Sequence, residues 1–262
     1  MNINNLRDIG RLLFAALGST RLRPFESEIL GKGAGGDKTY PIDKKAEDLI
    51  ISAFVALHEP LTILSEECGM MEILGGGAQV IIDPVDGSRN AVNGVPFYCT
   101  SIAVCDGSTF GDISLAYVIN LLTGDEFWAE RGKGAFFNGD QIGCQKDEPF
   151  YLVAYEAQTP ARDVSGILRL LSEARRTRCL GATALDLALL AYGAVSVFIA
   201  PSPSRSFDFA AGYLLVKEAG GIMTDTTGQD FDKIAATLNT RIPLLASGNV
   251  RLHEKALKLL NA

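Results

Sequence analysis

Apolar residues recur at two different spacings along this chain, and the spacing changes where one kind of element gives way to another. Over residues 3–17, isoleucines and leucines stand three and four positions apart, which predicts an amphipathic opening helix. A similar stripe predicts a second helix over about 44–57, with Asp43 as its cap. From residue 79, short apolar runs between glycine-containing turns predict an antiparallel meander, with strands in YCTSIAVC, ISLAYVINL, DEFWAE and AFFNG.

After about residue 147, strand patterns alternate with helix patterns. The predicted strands are YLVAYE, TRCLG, VSVFIA, GIMTD and PLLASG, and the predicted helices are GILRLLSEARR, 184–192, 208–219 and 250–260. Such alternation is typical of an α/β layer. We therefore predict an N-terminal α+β part over 1–146 and a C-terminal α/β part over 147–262.

Between the two first helices lies a glycine-rich segment, 31–41, which we predict to be a mobile loop. Gly31, Gly33 and Gly36 have the GxGxxG spacing of dinucleotide-binding turns. That motif needs a strand before it and a helix running through its end, whereas RPFESEIL is no clear strand and Pro41 stands within the expected helix. A dinucleotide site is therefore not expected here.

Composition excludes several classes of protein. The 24 lysines and arginines stand against 31 acidic residues, a net charge of −7, so the chain is not built to coat nucleic acid. No apolar run approaches the roughly 18 to 20 residues needed to cross a bilayer, and the first residues do not resemble a secretion signal. We expect a cytoplasmic protein without a membrane partner, whose five cysteines, an odd number without CxxC spacing, are reduced and buried.

The acidic residues that matter most follow apolar runs. Glu66 and Glu67 come after the apolar run LTILS, and Asp83 and Asp86 come after the apolar run VII. Asp208 opens a predicted helix. If these elements converge, the carboxylates repel one another unless cations lie between them. Hard oxygen ligands without neighbouring histidine or cysteine favour Mg²⁺, with Mn²⁺ or Ca²⁺ as alternatives.

The segment DPVDGS places an anion site beside these cation ligands. Pro84 bends the chain, and Gly87 and Ser88 follow at the start of a turn or helix, where free backbone amides bind phosphate. A metal-assisted phosphoryl hydrolase needs both features together, since the cation activates water and offsets charge on the phosphate oxygens.

Three segments, LSEE at 64–67, IIDPVDGSRN at 81–90 and SFDFAAGYLLVKEAGG at 206–221, resemble the signatures of the inositol monophosphatase family. Its members are Mg²⁺-dependent, lithium-sensitive phosphatases. The resemblance implies an α+β fold, the layered α/β/α/β/α sandwich of sugar phosphatases, assembled as a homodimer. It also implies in-line attack by a metal-activated water, without a covalent phosphoenzyme.

The resemblance also assigns residues to the site. Two or three Mg²⁺ ions would be held by Glu66, Asp83, the Val85 carbonyl, Asp86, Asp208 and, for a third ion, Asp43, with Glu67 either a further ligand or a surface residue. Gly87 and Ser88 would bind the phosphate, and Glu66, Asp43 and Ser88 would act catalytically on the water. Gly181, Ala182 and Thr183 would form the wall of the substrate site.

Substrate choice is where this chain departs from the inositol-preferring pattern. Residues 200–206 contain no acid to contact ring hydroxyls, and Arg205 offers a cation for an extra anion instead. That resembles the archaeal-type branch that hydrolyses both inositol 1-phosphate and fructose 1,6-bisphosphate, which we predict as the substrates. Alternatives are a 3′-phosphoadenosine 5′-phosphate phosphatase, for which no adenine-binding insertion is present, and a non-catalytic metal- and phosphate-binding regulatory protein.

Overall fold

The computed structural model describes residues 1–18 and 29–261. RPFESEIL, in which no clear strand was expected, lies mostly outside the described residues. The helices are α1 (Ile3–Leu17), α2 (Pro41–Ala56), α3 (Ser88–Val92), α4 (Pro160–Glu173), α5 (Thr183–Ala191), α6 (Ser206–Glu218) and α7 (Val250–Leu260).

The first ten strands precede residue 143 and the remaining five follow residue 151. They are β1 (Gly31–Lys32), β2 (Lys38–Thr39), β3 (Leu61–Ser65), β4 (Gly69–Ile73), β5 (Ala78–Asp86), β6 (Cys99–Cys105), β7 (Ile113–Asn120), β8 (Glu126–Glu130), β9 (Gly134–Phe137) and β10 (Asp140–Ile142). The others are β11 (Leu152–Tyr155), β12 (Arg176–Arg178), β13 (Val197–Arg205), β14 (Ile222–Asp225) and β15 (Arg241–Ser247).

Two sheets carry most of these strands. Eight form the larger sheet in the order β10-β9-β8-β7-β6-β5-β3-β4. Strands β5 to β9 make the predicted antiparallel meander, the unpredicted β10 extends it, and β3 runs parallel to β5. Five form the smaller sheet in the order β12-β11-β13-β15-β14. The proposed boundary at residue 147 falls in the connection between β10 and β11, that is, between the two sheets.

Three apolar clusters define the layers. The first joins α1 and α2 to one face of the larger sheet and includes Leu6, Phe54 and Ile82. The second fills the space between the sheets with α5 and α6, and the third joins α4 and α7 to the outer face of the smaller sheet. Strand residues alternate between clusters, as a pleated sheet with two covered faces requires. This is the α/β/α/β/α sandwich predicted from the sequence.

Local boundaries differ from prediction near the glycine-rich segment. Residues 31–32 and 38–39 pair as an antiparallel hairpin, so the predicted loop is a two-stranded ribbon, and α2 begins at Pro41. Tyr40 is the cap residue of α2, and Asp43 lies one turn inside, where its Oδ2 accepts a hydrogen bond from the Tyr40 amide at 2.7 Å. Proline at the first helical position needs no amide partner, which explains the early start.

Two further expectations need correction. The strand expected to end at Asp83 continues to Asp86, because β5 keeps pairing with β6 beyond Pro84. Of the five cysteines, Cys99, Cys105 and Cys144 are buried as predicted, whereas Cys68 and Cys179 are exposed. Within the described ranges, no helix combines the length and apolar character needed to cross a membrane.

Candidate active site

Glu66 stands at the end of β3, and the turn after it is fixed by a buried carboxylate. Glu47 of α2 accepts hydrogen bonds from the Ser65 hydroxyl at 2.6 Å and from the Cys68 amide at 2.9 Å. On the other side, the Glu66 carbonyl accepts from the Gly35 amide of the hairpin at 2.7 Å. The backbone that carries Glu66 is therefore held from both sides.

An irregularity in β5 brings Asp83 and Asp86 to the same place. Residues three apart on a regular strand point to opposite faces. Here Asp83 pairs with Ser101 and Asp86 pairs with Cys99, so three steps on β5 match two on β6, and the extra residue re-aims the chain. Both carboxylates consequently line one pocket.

The first turn of α6 supplies the remaining acid. Asp208 is the third residue of the helix, and its Oδ2 accepts from the Arg205 backbone amide at 2.9 Å. Carboxylates are favoured at this position by the free amides of the first turn. The preceding residue, Phe207, is buried, and the Arg205 guanidinium carbon lies over its ring, 4.7 Å from the ring centroid.

Gly87 connects the acids to the start of α3 in a backbone conformation that other residues rarely adopt. Its φ of 89° lies in the left-handed region, and a Cβ there would stand 3.0 Å from the Phe97 carbonyl oxygen. Ser88 follows, and its hydroxyl donates to the Val85 carbonyl at 2.7 Å. The turn thus packs tightly under the pocket.

Asp43 lies behind Ser88 and does not line the pocket itself. Burial raises its pKa to about 7, although the hydrogen bond from the Tyr40 amide opposes that shift. Its Oδ1 has no hydrogen-bond partner within the described residues. This oxygen is available to accept a proton near neutral pH.

The opposite wall is formed by the loop before α5. The Ala184 amide donates to Asp86 Oδ2 at 2.6 Å, and the Gly181 amide donates to Glu156 Oε1 at 3.0 Å. The Asn90 side chain donates to the Leu180 carbonyl at 2.6 Å, which ties this loop to α3. Burial raises the pKa of Glu156 to about 7.

These elements enclose a cavity of about 160 Å³. Among its lining residues are ten of the thirteen predicted from the sequence: Glu66, Asp83, Val85, Asp86, Gly87, Ser88, Gly181, Thr183, Arg205 and Asp208. Asp43 lies behind Ser88, and Ala182 is buried against Gly87. Glu67 instead accepts from the Thr39 hydroxyl beneath the hairpin.

Charge is concentrated in this cavity. Burial raises the pKa of Glu66 to about 8, and burial together with the neighbouring carboxylates raises the pKa values of Asp83 and Asp86 well above their usual range. Arg205 opposes this repulsion, because its Nη1 lies 2.7 Å from Glu66 Oε1 and its Nη2 lies 3.0 Å from Asp208 Oδ1.

The residues present suit a divalent cation. The donors are hard carboxylate and carbonyl oxygens, and the buried Asp83 Oδ1 has no hydrogen-bond partner in the described part of the chain. Among the described residues no three acidic, histidine or cysteine side chains are already gathered around one point, and the Arg205 guanidinium bridges Glu66 and Asp208. A cation that takes these oxygens therefore competes with Arg205.

Several residues of the cavity were not predicted from the sequence. They are Asp37, Lys38, Tyr40, Arg89, Glu156, Gln158 and Ser204. Glu156 follows the apolar strand β11 and so carries the same signal that identified Glu66. The others lie on irregular segments, where no periodicity marks them.

Comparisons with known proteins agree with this geometry. The inositol monophosphatase family model matches residues 2–262. A fructose-1,6-bisphosphatase/inositol-1-monophosphatase of Methanothermobacter thermautotrophicus is 36% identical over 247 residues, covering 89% of this chain and 87% of its own.

Solved structures are similar as well. The crystal structure of an inositol monophosphatase–fructose 1,6-bisphosphatase has a TM-score of 0.85 at 27% identity, covering 99% of this chain and 100% of its own. An IMPase/NADP phosphatase complexed with Mg²⁺ and phosphate has a TM-score of 0.75 at 25% identity, with coverage of 98% and 92%. Mg²⁺ is thus bound within this group of proteins.

Proposed function

Since this chain belongs to the inositol monophosphatase family, we propose that it is a Mg²⁺-dependent phosphomonoesterase acting on inositol 1-phosphate and fructose 1,6-bisphosphate. The observation that carries the proposal is the meeting of Glu66, Asp83, Asp86 and Asp208, from three distant segments, beside the Gly87–Ser88 turn. The relative from Methanothermobacter thermautotrophicus is named for both activities.

In this proposal two or three Mg²⁺ ions are held by Glu66, Asp83, the Val85 carbonyl, Asp86 and Asp208. When bound, Mg²⁺ lowers the pKa of water and offsets charge on the phosphate oxygens. The chain's part is to keep these oxygens buried and pre-arranged, so that little reorganisation accompanies the reaction. The bulge in β5 supports this role because it aims two carboxylates into the same space.

Ser88 and Asp43 provide a route for the proton of the attacking water. The Ser88 hydroxyl lies at the cavity wall, and Asp43 stands behind it with an unpartnered Oδ1. A base with a pKa near the working pH is the most effective proton acceptor. We assign proton transfer to Ser88 and Asp43 together with Glu66, and orientation of the phosphate to Gly87 and Ser88.

The substrate wall is assigned to Gly181, Ala182 and Thr183. Gly181 and Thr183 line the cavity directly, while Ala182 supports Gly87 from behind. Arg205 is assigned to the second phosphate of a bisphosphate, and its place at the cavity edge supports that role. Glu67 anchors the hairpin through Thr39, which favours a supporting role over metal binding.

The test is phosphate release from inositol 1-phosphate and fructose 1,6-bisphosphate, with and without Mg²⁺, by the wild type, Asp208→Asn and Arg205→Ala. We expect both substrates to react only with Mg²⁺, and Asp208→Asn to lose nearly all turnover. Arg205→Ala is expected to harm the bisphosphate more. A folded wild type that binds Mg²⁺ and releases no phosphate from either substrate would favour the non-catalytic alternative.

We also propose that the protein acts in the cytoplasm as a homodimer. Support for the compartment comes from its cysteines, all five of which are free thiols. The dimer is carried over from the family resemblance, and light scattering on the purified protein tests it by giving the mass of the particle directly.

A further inference from the structure

Glu156 lines the active-site cavity, but it belongs neither to the proposed ligand set nor to the phosphate turn. It follows β11 directly, and its backbone amide donates to the Ile199 carbonyl of β13 at 3.0 Å. The backbone at Glu156 is therefore held by the smaller sheet, and its half-buried side chain starts from a fixed point. Side chains on such a support are positioned more precisely than those on free loops.

The two carboxyl oxygens of Glu156 have different surroundings. Oε1 accepts a hydrogen bond from the Gly181 amide at 3.0 Å, whereas Oε2 has no hydrogen-bond partner among the described residues. Burial raises the pKa of this carboxyl to about 7. Both of its protonation states bind a hydroxyl group, since the carboxylate accepts and the acid also donates. Glu156 thus offers the cavity a polar group that the described chain leaves unused.

Two hydroxyl groups lie on the same cavity. Thr183 is the first residue of α5, and Ser204 lies near the end of β13; both line the cavity and both are buried. Over residues 1–18 and 29–261, neither hydroxyl has a hydrogen-bond partner. Buried polar groups are normally hydrogen-bonded, so three such groups on one cavity suit a polar ligand. We call Glu156, Thr183 and Ser204 the polar wall.

The polar wall favours a ligand with hydroxyl groups. A ligand that fills the cavity removes water from the wall, and its hydroxyl groups can replace the hydrogen bonds that the water made. An apolar ring cannot replace them, so it leaves the buried carboxyl of Glu156 without a partner. A site built to hydrogen-bond a hydroxyl group rejects an analogue that lacks it for this reason.

We propose that the polar wall binds hydroxyl groups on the carbon skeleton of the substrate, and that Glu156 determines specificity for them. The inference rests on the proposed function, because it takes the reacting phosphate to bind at Gly87 and Ser88. The wall acts on the part of the substrate that is not transferred. Glu156 therefore contacts the polyol or sugar directly and is separate from the ligands of the ion.

The experiment compares kcat/KM for two kinds of phosphate in Mg²⁺. One is inositol 1-phosphate or fructose 1,6-bisphosphate, whichever the wild type prefers, and the other is phenyl phosphate, whose ring has no hydroxyl group. We expect Glu156→Ala to lower the ratio of the first value to the second by about ten- to a hundredfold, the effect of losing a hydrogen bond to a charged group. Ser204→Ala loses a neutral hydrogen bond and should lower the ratio about threefold.

Two further variants separate this role from a structural one. Glu156→Gln keeps an acceptor for the Gly181 amide and a polar group toward the cavity, so it should retain most of the ratio. Glu218→Ala is the matched control, because Glu218 likewise accepts from glycine amides, those of Gly132 and Gly134 at 2.8 and 2.9 Å, and lies outside the cavity. It should keep the wild-type ratio.

A second measurement is the Kd for Mg²⁺ without substrate, by calorimetry. We expect it to stay within about threefold of the wild type in Glu156→Ala, since no proposed ligand oxygen is removed. A much weaker Kd would place Glu156 among the ligands of the ion and overturn the polar wall. Equal losses on both phosphates would overturn it too, because Glu156 would then only support the Gly181 loop. No phosphate release from any of the three compounds by the wild type would instead overturn the proposed function.

Discussion

Replacing Asp83 by asparagine tests whether the buried acids are built for a cation. Asp83 is 1% exposed, and its pKa is raised by burial and by Glu66, Asp86 and Asp208. The pKa of this carboxyl is higher in the folded chain than its value of about 3.9 in the unfolded chain. The free energy of unfolding is therefore highest below pH 3.9 and falls as the pH rises toward the folded pKa. At pH 7 the buried Asp83 carboxyl therefore lowers the free energy of unfolding of the metal-free wild type. The neutral side-chain amide of Asp83→Asn removes this cost.

The size of this cost is bounded by the chemistry. A carboxyl that takes up a proton on folding at pH 7 costs at most about 4 kcal/mol, and each unit of pKa shift costs about 1.4 kcal/mol. We expect Asp83→Asn to be more stable than the wild type by about 1 to 4 kcal/mol without metal. With Mg²⁺ at one hundred times its Kd, the wild type gains about 2.7 kcal/mol, whereas the variant gains little.

The assay is thermal unfolding in EDTA and across a Mg²⁺ titration, at roughly 2 to 4 °C per kcal/mol for a chain of this size. Asp186→Asn is the matched control, because Asp186 is equally buried, has two unpartnered oxygens within the described residues and lies outside the proposed ligand set. It should keep the full response to Mg²⁺. An undiminished response in Asp83→Asn would refute its role as a ligand, and lower stability in EDTA would refute the argument from burial.

Three further predictions concern single residues. Burial lowers the pKa of His253 to about 4, so between pH 6.5 and 4 mainly the unfolded chain takes up a proton. The free energy of unfolding should therefore fall by about 3 kcal/mol over that range. Urea titrations at several pH values should show this fall, and His253→Gln should remove it. Gly87→Ala should cost at least about 1 to 2 kcal/mol from its φ alone and abolish phosphate release, and wild-type unfolding with normal turnover would contradict the packing described. Ser88→Ala should lower kcat about a hundredfold while Ser88→Thr retains it, and equal rates in both would exclude the hydroxyl from proton transfer.

Periodicity predicted most of the helices and strands of this fold, because its signal is local. The stripe over 3–17 is α1, and the run 250–260 is α7. The five-layer sandwich and the family followed from three motifs. The hairpin at 31–39 was missed because each of its strands has only two residues, too few for any alternation to be visible.

Contacts within the site were harder to predict because they are set by distant residues. Nothing near Arg205 in the sequence indicates that its guanidinium reaches Glu66. The bulge after Asp83 depends on how β5 pairs with β6, and the position of Glu67 depends on Thr39. Glu156 is different, since its place after an apolar strand was a usable signal.

The position of α6 between the two sheets has a consequence for how the protein is made. Chains fold during synthesis from the N-terminus. The strands that carry Glu66, Asp83 and Asp86 leave the ribosome more than one hundred residues before Arg205 and Asp208, which stand at the start of α6. Until that helix docks, the three acids have neither the arginine that pairs with Glu66 nor the fourth carboxylate. A chain that has not yet made α6 thus carries three of the acids without the fourth, and under the proposed ligand set it gains its full capacity to bind the ion only after that helix docks.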